Sequence, residues 1–290
     1  MLVSAPASSA NLGPGFDCLA IALGIPFWLD ARDPGDEPQD PPQLPQSVLE
    51  GDDPVPMLAA EASHPAALAF EAAGGAAGSS LWWRSTIPPG RGQGFSGASR
   101  VAGAFAAFRL AGVPPDRARR AARNVAAELE GHPDNAAASA LGALSVSAGD
   151  TDVRLDVPGG VEVALWWPDE SQGTDASRQA LAEVVELTDA THNVSRAALW
   201  VAAIATGDLA ALRWASEDRL HQQARLDAMA QSAAALEAFL DDGSVWAAWL
   251  SGSGPTVAAL VPAGYQVPAG LPEGRTAVVA IDTEGVREAN

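Results

Sequence analysis

The chain has 290 residues, 48% of them hydrophobic, which suits one large domain or two smaller ones around a buried core. With 36 acidic and 17 basic residues the net charge is −19, and such a surface repels phosphate backbones and anionic lipids, so we expect neither nucleic-acid nor membrane binding. A single cysteine excludes an internal disulfide and a zinc–cysteine cluster, and the absence of lysine excludes a Walker-type phosphate loop and a pyridoxal Schiff base in their usual forms.

The first turn signal lies close to the N-terminus. Residues 8–17 read SSANLGPGFD, a polar and glycine-rich stretch that is typical of a turn. An ordinary surface turn would have the same composition, so this stretch alone assigns no function. The residues before it lack the basic and apolar regions of a targeting signal, and we expect a cytoplasmic protein.

A stretch dense in proline and aspartate follows at residues 33–56. Because proline lacks the amide hydrogen that helices and central strands require, this stretch predicts an exposed excursion without regular structure. The pattern then predicts a helix over 65–73 and a short strand at 81–83.

A glycine-rich loop is the most unusual segment. Residues 87–99 read IPPGRGQGFSGAS, and apolar residues then recur at helical spacing. A glycine turn that opens a helix presents unpaired amide groups and the positive end of the helix dipole, which together hold phosphate. The GxGxxG spacing at 92–97 also fits a dinucleotide fingerprint, but prolines at 88–89 interrupt the strand that should precede it. A nucleotide phosphate loop is the favoured interpretation, ahead of a dinucleotide site or a purely structural loop.

The remaining predicted elements mix helices with strands. They are a helix over 115–130, a turn over 131–135, a strand over 161–167, a helical pattern over 195–240 with a break near 207–208 and an end near 243, and strands over 257–261 and 277–281. Such a mixture predicts an α/β or α+β fold. A third glycine-rich turn, WLSGSGPT at 249–256, lies far from the other two. Three such turns predict loops that converge on one site.

These stretches together resemble the motifs of the GHMP kinases, and most closely those of the homoserine-kinase branch. The similar segments are, in chain order, 4–19, 88–99, 129–135, 193–199, 217–222 and 250–256. The first, second and last correspond to the family's N-terminal motif, phosphate loop and third motif. Order and spacing agree along almost the whole chain.

The resemblance implies a two-domain α/β (α+β) fold with the active site between the domains. Residues 1–152 would form an ATP-binding domain of the ribosomal-S5 domain 2 type, and residues 153–290 a ferredoxin-like α/β sandwich. The implied reaction transfers the γ-phosphate of ATP to the side-chain hydroxyl of L-homoserine, a step of threonine biosynthesis, with Mg²⁺ as cofactor. A homodimer is usual in such families and is expected here.

The resemblance also implies which residues bind the nucleotide. The predicted ATP-binding residues are Pro88, Gly90, Arg91, Gly92, Gln93, Gly94, Phe95, Ser96, Gly97 and Ala98. Ser96 and Glu130 would hold Mg²⁺, which prefers oxygen ligands. For Glu130, an exposed carboxylate at a helix end is the ordinary alternative.

The amino-acid substrate carries an ammonium, a carboxylate and a hydroxyl. By the resemblance, Asn11 and Asp17 would accept hydrogen bonds from the ammonium. Arg178 and Arg225 would bind the carboxylate, to which a planar guanidinium is suited. Because the sequence around Arg178 diverges from the family pattern, a solvated surface arginine is its alternative.

The predicted catalytic residues are Asn135, His132 and Arg225. Asn135 would contact the substrate hydroxyl with His132 beside it, although a turn histidine satisfied by backbone groups is the commoner use of a lone histidine. No residue is an obvious general base, so we expect direct attack of the hydroxyl on the γ-phosphate. A base role for Asp134 is the weaker option.

One departure from the family pattern lies in the phosphate loop. The family has two serines where this chain has Phe95 and Ser96, and Gly97 replaces an alanine. Phe95 would remove a hydroxyl and add bulk beside the phosphates, which leaves open a weakened homologue that binds nucleotide or amino acid without efficient turnover. A kinase of the same family acting on an alcohol such as mevalonate is a further alternative, but mevalonate has no ammonium to satisfy Asp17.

Overall fold

The computed structural model describes residues 1–42, 56–169 and 181–289. The predicted site residue Arg178 therefore lies outside the described residues, as does 43–55 within the proline- and aspartate-rich stretch. The described part of that stretch, 33–42 and 56, contains no helix or strand, as expected.

The N-terminal half is built on an antiparallel sheet. Its strands within the described residues are β1 (Leu2–Ala10), β2 (Leu19–Arg32), β3 (Leu58–Ala59), β4 (Ser80–Ser85), β5 (Leu144–Ala148), β6 (Thr151–Leu155) and β11 (Arg287–Glu288). They run in the order β11-β1-β2-β4-β3, with β5 pairing with β2 and β6 with β5. The predicted strand at 81–83 is confirmed as part of β4.

The two longest strands of this sheet, β1 and β2, were not predicted. All nine residues of β1 are buried, and small alanines and serines occupy most of its positions. A strand buried on both faces does not alternate between polar and apolar residues, so the signal that marks a half-buried strand is absent.

Helices pack against this sheet. They are α1 (Pro65–Ala72), α2 (Phe95–Leu110), α3 (Pro115–Glu130) and α4 (Asp134–Leu141). The predicted helices over 65–73 and 115–130 and the helix opened by the glycine loop are confirmed. α1 and α2 approach closely at Gly103, where a Cβ atom would lie 2.0 Å from the carbonyl oxygen of Ala66.

The C-terminal half is built on a second antiparallel sheet. Its strands are β7 (Val161–Trp167), β8 (Ala247–Leu250), β9 (Val257–Pro262) and β10 (Arg275–Ala280), in the order β10-β7-β9-β8. The predicted strands over 161–167, 257–261 and 277–281 are confirmed. Along β7, Val163 and Leu165 join the larger hydrophobic core while Ala164 and Trp166 join a second one. Both faces of this sheet are therefore covered.

The helical region between β7 and β8 differs from its prediction. Its helices are α5 (Leu187–Thr206), α6 (Leu212–Ala215), α7 (Gln222–Leu226) and α8 (Ala230–Asp241). The helix begins eight residues before 195, and the predicted break is confirmed because Gly207 ends α5 with φ +74°. The continuous helix expected beyond it is wrong: the Asp218 carboxylate accepts the amide hydrogens of His221 and Gln222, which caps a short helix there.

The predicted turn over 131–135 is correct only for its first residues. Gly131 ends α3 with φ +81°, and α4 already begins at Asp134. The Asp134 carboxylate accepts the amide hydrogen of Asn135 at 2.7 Å, and an acidic side chain is favourable at the positive end of a helix. Asn135 therefore lies in a helix rather than in the predicted turn.

The predicted boundary between residues 152 and 153 stays a prediction. β6 runs across it and pairs with β5 in the first sheet, and β11 returns the C-terminal residues to β1 of that sheet. None of the described helices is long and apolar enough to cross a membrane.

Candidate active site

The three glycine-rich turns meet through a chain of hydroxyl hydrogen bonds. The indole N–H of Trp249 donates to Ser9 Oγ at 2.9 Å, and Ser9 and Ser251 share a hydrogen bond of 2.7 Å. The Ser251 hydroxyl in turn donates to the carbonyl oxygen of Gly92 at 2.6 Å. The predicted convergence of these turns is therefore confirmed.

The glycines of the phosphate loop allow this close approach. Gly92 and Gly94 have φ values of +75° and +69°, in the left-handed region that favours glycine. A Cβ atom at position 92 would lie 2.3 Å from the Ser251 carbonyl oxygen, and one at 94 would lie 2.0 Å from Ser8 Oγ. Positions 92 and 94 of the phosphate loop therefore both need glycine.

A cavity of about 540 Å³ opens where the turns meet. Its lining includes these predicted residues: Asn11, Asp17, Pro88, Gly90, Arg91, Gly92, Gln93, Gly94, Phe95, Ser96, Gly97, Glu130, His132, Asn135 and Arg225. Ala98 does not line it, since this residue is fully buried and its amide hydrogen already bonds the Gly94 carbonyl oxygen at 2.9 Å. Leu129, Gly252 and Ser253 also border the cavity and were not predicted.

The phosphate loop directs a helix N-terminus at this cavity. Gly94 is the N-cap of α2, and the hydrogen bond from Ala98 to Gly94 is the first of the helical ladder. The amide groups of residues 95–97 precede that bond, and such groups at a helix start have no partner within their own helix. Together with the helix dipole they form a site for an anion.

Phe95 packs into an aromatic cluster beneath the loop. Its ring stands edge-on to the rings of Phe27, His64 and Trp83, with centroids 5.7, 6.0 and 5.7 Å away. Although the residue also borders the cavity, these contacts direct much of the added bulk into the core rather than toward the phosphates.

The two predicted metal ligands are linked by an arginine that was not predicted. Arg100 Nη1 donates to Glu130 Oε1 at 2.7 Å and also to Ser96 Oγ. Glu130 Oε2 is buried and has no hydrogen-bond partner among the described residues. Burial raises the pKa of Glu130, an effect that the charges of His132 and Arg100 and a hydrogen bond with Ser96 partly offset. A carboxylate with one unpaired oxygen beside a hydroxyl is a donor set that a hard cation can use.

A cluster of two carboxylates and a histidine lies next to Ser96 and Glu130. His132 Nδ1 and Asp134 Oδ1 are 2.7 Å apart, and ligand atoms of Asp17, His132 and Asp134 lie within 4.8 Å of one another. Burial lowers the pKa of His132, but the hydrogen bond and charge of Asp134, with the charges of Glu130 and Asp17, outweigh burial and raise the pKa above its usual value. This group could hold a metal ion or a substrate cation. The sequence predicted separate roles for Asp17, His132 and Asp134, but not that they form one group of ligands.

Two asparagines connect the N-terminal motif to the rest of the site. Ser8 Oγ donates to Asn135 Oδ1 at 2.8 Å. Asn11 Nδ2 donates to the Gly252 carbonyl oxygen at 2.9 Å, and its Oδ1 accepts the amide hydrogen of Asp17 at 3.1 Å. Asn11 therefore shapes the turn that carries Asp17, while its carbonyl oxygen keeps a second lone pair for a ligand.

Arg225 lies next to Asn11, because both side chains donate to the Gly252 carbonyl oxygen. The residue is 3% exposed and its guanidinium carbon lies 5.4 Å from the centre of the Phe16 ring. Nη1 donates to the Gly252 carbonyl oxygen at 2.9 Å and lies 3.1 Å from His221 Nδ1. A buried guanidinium held in this way presents a fixed positive charge.

A buried polar network orients Arg225. Burial lowers the pKa of His221, so its imidazole is neutral, with Nε2 donating to the Gly13 carbonyl oxygen at 2.7 Å and Nδ1 left to accept from Arg225. The Asp218 carboxylate accepts from Asn193 Nδ2 at 2.6 Å and caps the helix that carries the arginine. These contacts explain why segments 193–199 and 217–222 accompany the site.

Family models and curated relatives agree with this geometry. Residues 60–143 match the GHMP kinases N terminal domain and residues 200–269 match the GHMP kinases C terminal. A homoserine kinase of Thermus thermophilus is 38% identical over 288 residues, which cover 95% of this chain and 94% of that one. The homoserine kinase of Moorella thermoacetica is 36% identical over 266 residues, or 89% of this chain and 86% of that one.

Solved structures share the fold. Homoserine kinase from Cytophaga hutchinsonii superposes with a TM-score of 0.76 at 22% identity, covering 99% of this chain and 96% of that one. Mevalonate kinase from Methanococcus jannaschii superposes with a TM-score of 0.62 at 11% identity, covering 97% and 98%. The predicted GHMP kinase fold is confirmed. With the family models and the curated relatives, these findings establish that the chain belongs to the GHMP kinase family and, within it, to the homoserine kinases.

Proposed function

We propose that this enzyme transfers the γ-phosphate of ATP to the side-chain hydroxyl of L-homoserine and forms O-phospho-L-homoserine. The observation that carries this proposal is a single cavity with two chemically different parts. One wall has the phosphate loop and the N-terminus of α2, and the rest of the lining includes Arg225 together with the carboxylates of Asp17 and Asp134. An anion such as a triphosphate suits the first part, and a zwitterion suits the second.

The loop residues 90–97 would bind the triphosphate through amide groups. Ser96 and Glu130 would hold Mg²⁺, and the fit rests on the unpaired Glu130 Oε2 and a neighbouring hydroxyl oxygen. When bound, the ion would neutralise charge on the transferring phosphoryl group. Gly97 gives this carboxylate room, because a Cβ atom there would lie 3.4 Å from Glu130 Oε2 and 3.0 Å from Asn135 Cβ.

The substrate would lie between opposite charges. Its carboxylate would bind Arg225, whose guanidinium is held rigidly before the ligand arrives. Its ammonium would bind Asp17, near the Asp134 carboxylate. Arg178 stays a proposed second partner of the carboxylate.

Positioning and charge neutralisation do most of the chemical work in phosphoryl transfer. The homoserine hydroxyl oxygen would attack the γ-phosphorus as the bond to the bridging oxygen of ADP breaks, and its proton would leave to the transferred phosphate or to water. Asn135, fixed by Ser8 and by helix α4, would orient the hydroxyl. Asp134 Oδ1 accepts from the Asn135 amide and pairs with His132, so this carboxylate would serve to hold those two residues in place.

The base-free mechanism has a direct test in Asp134→Asn. If the variant keeps its affinity for homoserine but loses all turnover, Asp134 is the base and this mechanism is wrong. We expect reduced but measurable turnover.

A coupled ADP-release assay across homoserine, serine, threonine and mevalonate tests the substrate. We expect release that depends on ATP and Mg²⁺ and is stimulated most by homoserine. A flat response to homoserine with a strong response to another alcohol would overturn the proposal. The proposed homodimer is tested separately, by light scattering of the purified protein.

A further inference from the structure

Arg100 is a charged residue of the cavity lining that belongs neither to the phosphate loop nor to the proposed substrate site. It lies one helical turn after Ser96 on α2, and its side chain is 19% exposed. Helical side chains lean toward the N-terminus of their own helix, which directs this guanidinium back toward the phosphate loop.

The guanidinium lies between the two proposed metal ligands. Its contacts with Ser96 and Glu130 both use Nη1. Because Glu130 gives Oε1 to Arg100 while Oε2 has no partner in the described chain, one carboxylate can serve the arginine and a metal ion at the same time.

The other two arginines that line the cavity are committed elsewhere. Arg91 donates to the carbonyl oxygens of Pro89, Pro168 and Asp169, and so ties the loop to the end of β7. Arg225 lies in the proposed substrate site against Gly252. Of these three arginines, Arg100 is the one whose guanidinium lies beside Ser96 at the start of α2.

We infer that Arg100 binds the phosphates of ATP and serves as a second cation of the site, carried by the protein itself. This inference rests on the proposed function. A planar guanidinium forms strong charge-assisted hydrogen bonds with phosphate oxygens and is charged at every physiological pH. The inference predicts that the enzyme keeps measurable affinity for ATP when no divalent metal is present.

Calorimetric titration with ATP in the presence of EDTA tests this consequence. We compare wild type with Arg100→Gln, with Arg100→Lys, and with Arg109→Gln as a control on the same helix, where the arginine pairs with Glu288 outside the cavity. Arg100→Gln should weaken metal-free binding by about tenfold or more, since a charged contact is lost. Arg100→Lys should lose less, and the control should match wild type.

The outcomes separate this inference from the proposed function. If wild type binds ATP neither with nor without Mg²⁺, the proposed function fails and the inference fails with it. If wild type binds ATP and Arg100→Gln binds metal-free ATP equally well or more tightly, only the inference is overturned, and Arg100 is a structural partner of Glu130.

A second pair of variants covers the case in which Arg100→Gln does not fold, because it leaves the buried Glu130 carboxylate without its partner. Glu130→Gln is compared with the double variant Arg100→Met, Glu130→Gln, in which no buried charge is left alone. The double variant should bind metal-free ATP about tenfold more weakly than the single variant. Equal affinities would again overturn the inference.

Discussion

Gly92→Ala is the sharpest test of how the three turns pack. Gly92 contacts the third motif, where a Cβ atom would lie 2.3 Å from the Ser251 carbonyl oxygen and 2.9 Å from that of Gly254. Contacts this short force the backbone to move. The movement would also break the hydrogen bond from the Ser251 hydroxyl to the Gly92 carbonyl oxygen.

The expected loss of stability has two components. A left-handed backbone costs an alanine about 1–2 kcal/mol relative to glycine. The broken hydrogen bond and the displaced backbone add about 1–2 kcal/mol. The free energy of unfolding should therefore fall by about 2–4 kcal/mol. Folded proteins typically have a total stability of about 5–15 kcal/mol, so the variant should still fold.

Gly112→Ala is the matched control. Gly112 has φ +79°, close to that of Gly92, but no atom lies within 4 Å of its Cβ position. It should lose only the backbone component, about 1–2 kcal/mol. Urea unfolding followed by tryptophan fluorescence gives both values, and titration with ATP should show weaker binding in Gly92→Ala alone. Equal destabilisation and equal ATP affinity in the two variants would refute the packing of Gly92 against the third motif.

Three further predictions concern single side chains. Phe95→Ala should lower the free energy of unfolding by about 2–4 kcal/mol through the lost ring contacts, and a urea midpoint unchanged from wild type would show that the ring does not pack in that cluster. Arg225→Lys should raise KM for homoserine by about tenfold with a small effect on kcat, because an ammonium cannot reproduce the planar fork; steady-state kinetics that show the loss in kcat alone would contradict this. The pKa of His132 is raised in the folded protein, so its protonated imidazole contributes stability that is fully present below about pH 6.5 and is lost as pH rises through the folded-state pKa. An NMR titration should find that pKa above the usual value in wild type and lower in Asp134→Asn.

The sequence predicted best those elements that begin and end at strong signals. α3 begins at Pro115 and ends at Gly131, which is the usual placement of these two residues, and its observed bounds match the prediction. β1 carries no such signal, because it is buried on both faces and its residues are uniformly small. Its place in the sheet depends on β2 and β11, and neither pairing is visible in the local sequence.

The same contrast applies to the candidate site, where local sequence predicted some residues and distant partners position the others. The phosphate loop was predictable because its glycines and the helix that follows are adjacent in sequence. Arg100 was missed because the helical pattern shows only that it lies off the apolar face, whereas its partner Glu130 is 30 residues away. The orientation of Arg225 was equally hidden, since it depends on His221 and through it on Gly13, more than 200 residues earlier in the chain.

The acidic composition at first argues against an ATP site, and the structure resolves this conflict locally. Across the chain the acidic residues outnumber the basic ones 36 to 17. In the cavity lining the balance is even, with Arg91, Arg100 and Arg225 against Asp17, Glu130 and Asp134. The field of the distant carboxylates is screened beyond about 8 Å at physiological salt, whereas partly buried charges are screened much less. A nucleotide within the cavity therefore responds mainly to the loop amides, the helix dipole and the nearby guanidinium groups, and only weakly to the net charge of the protein.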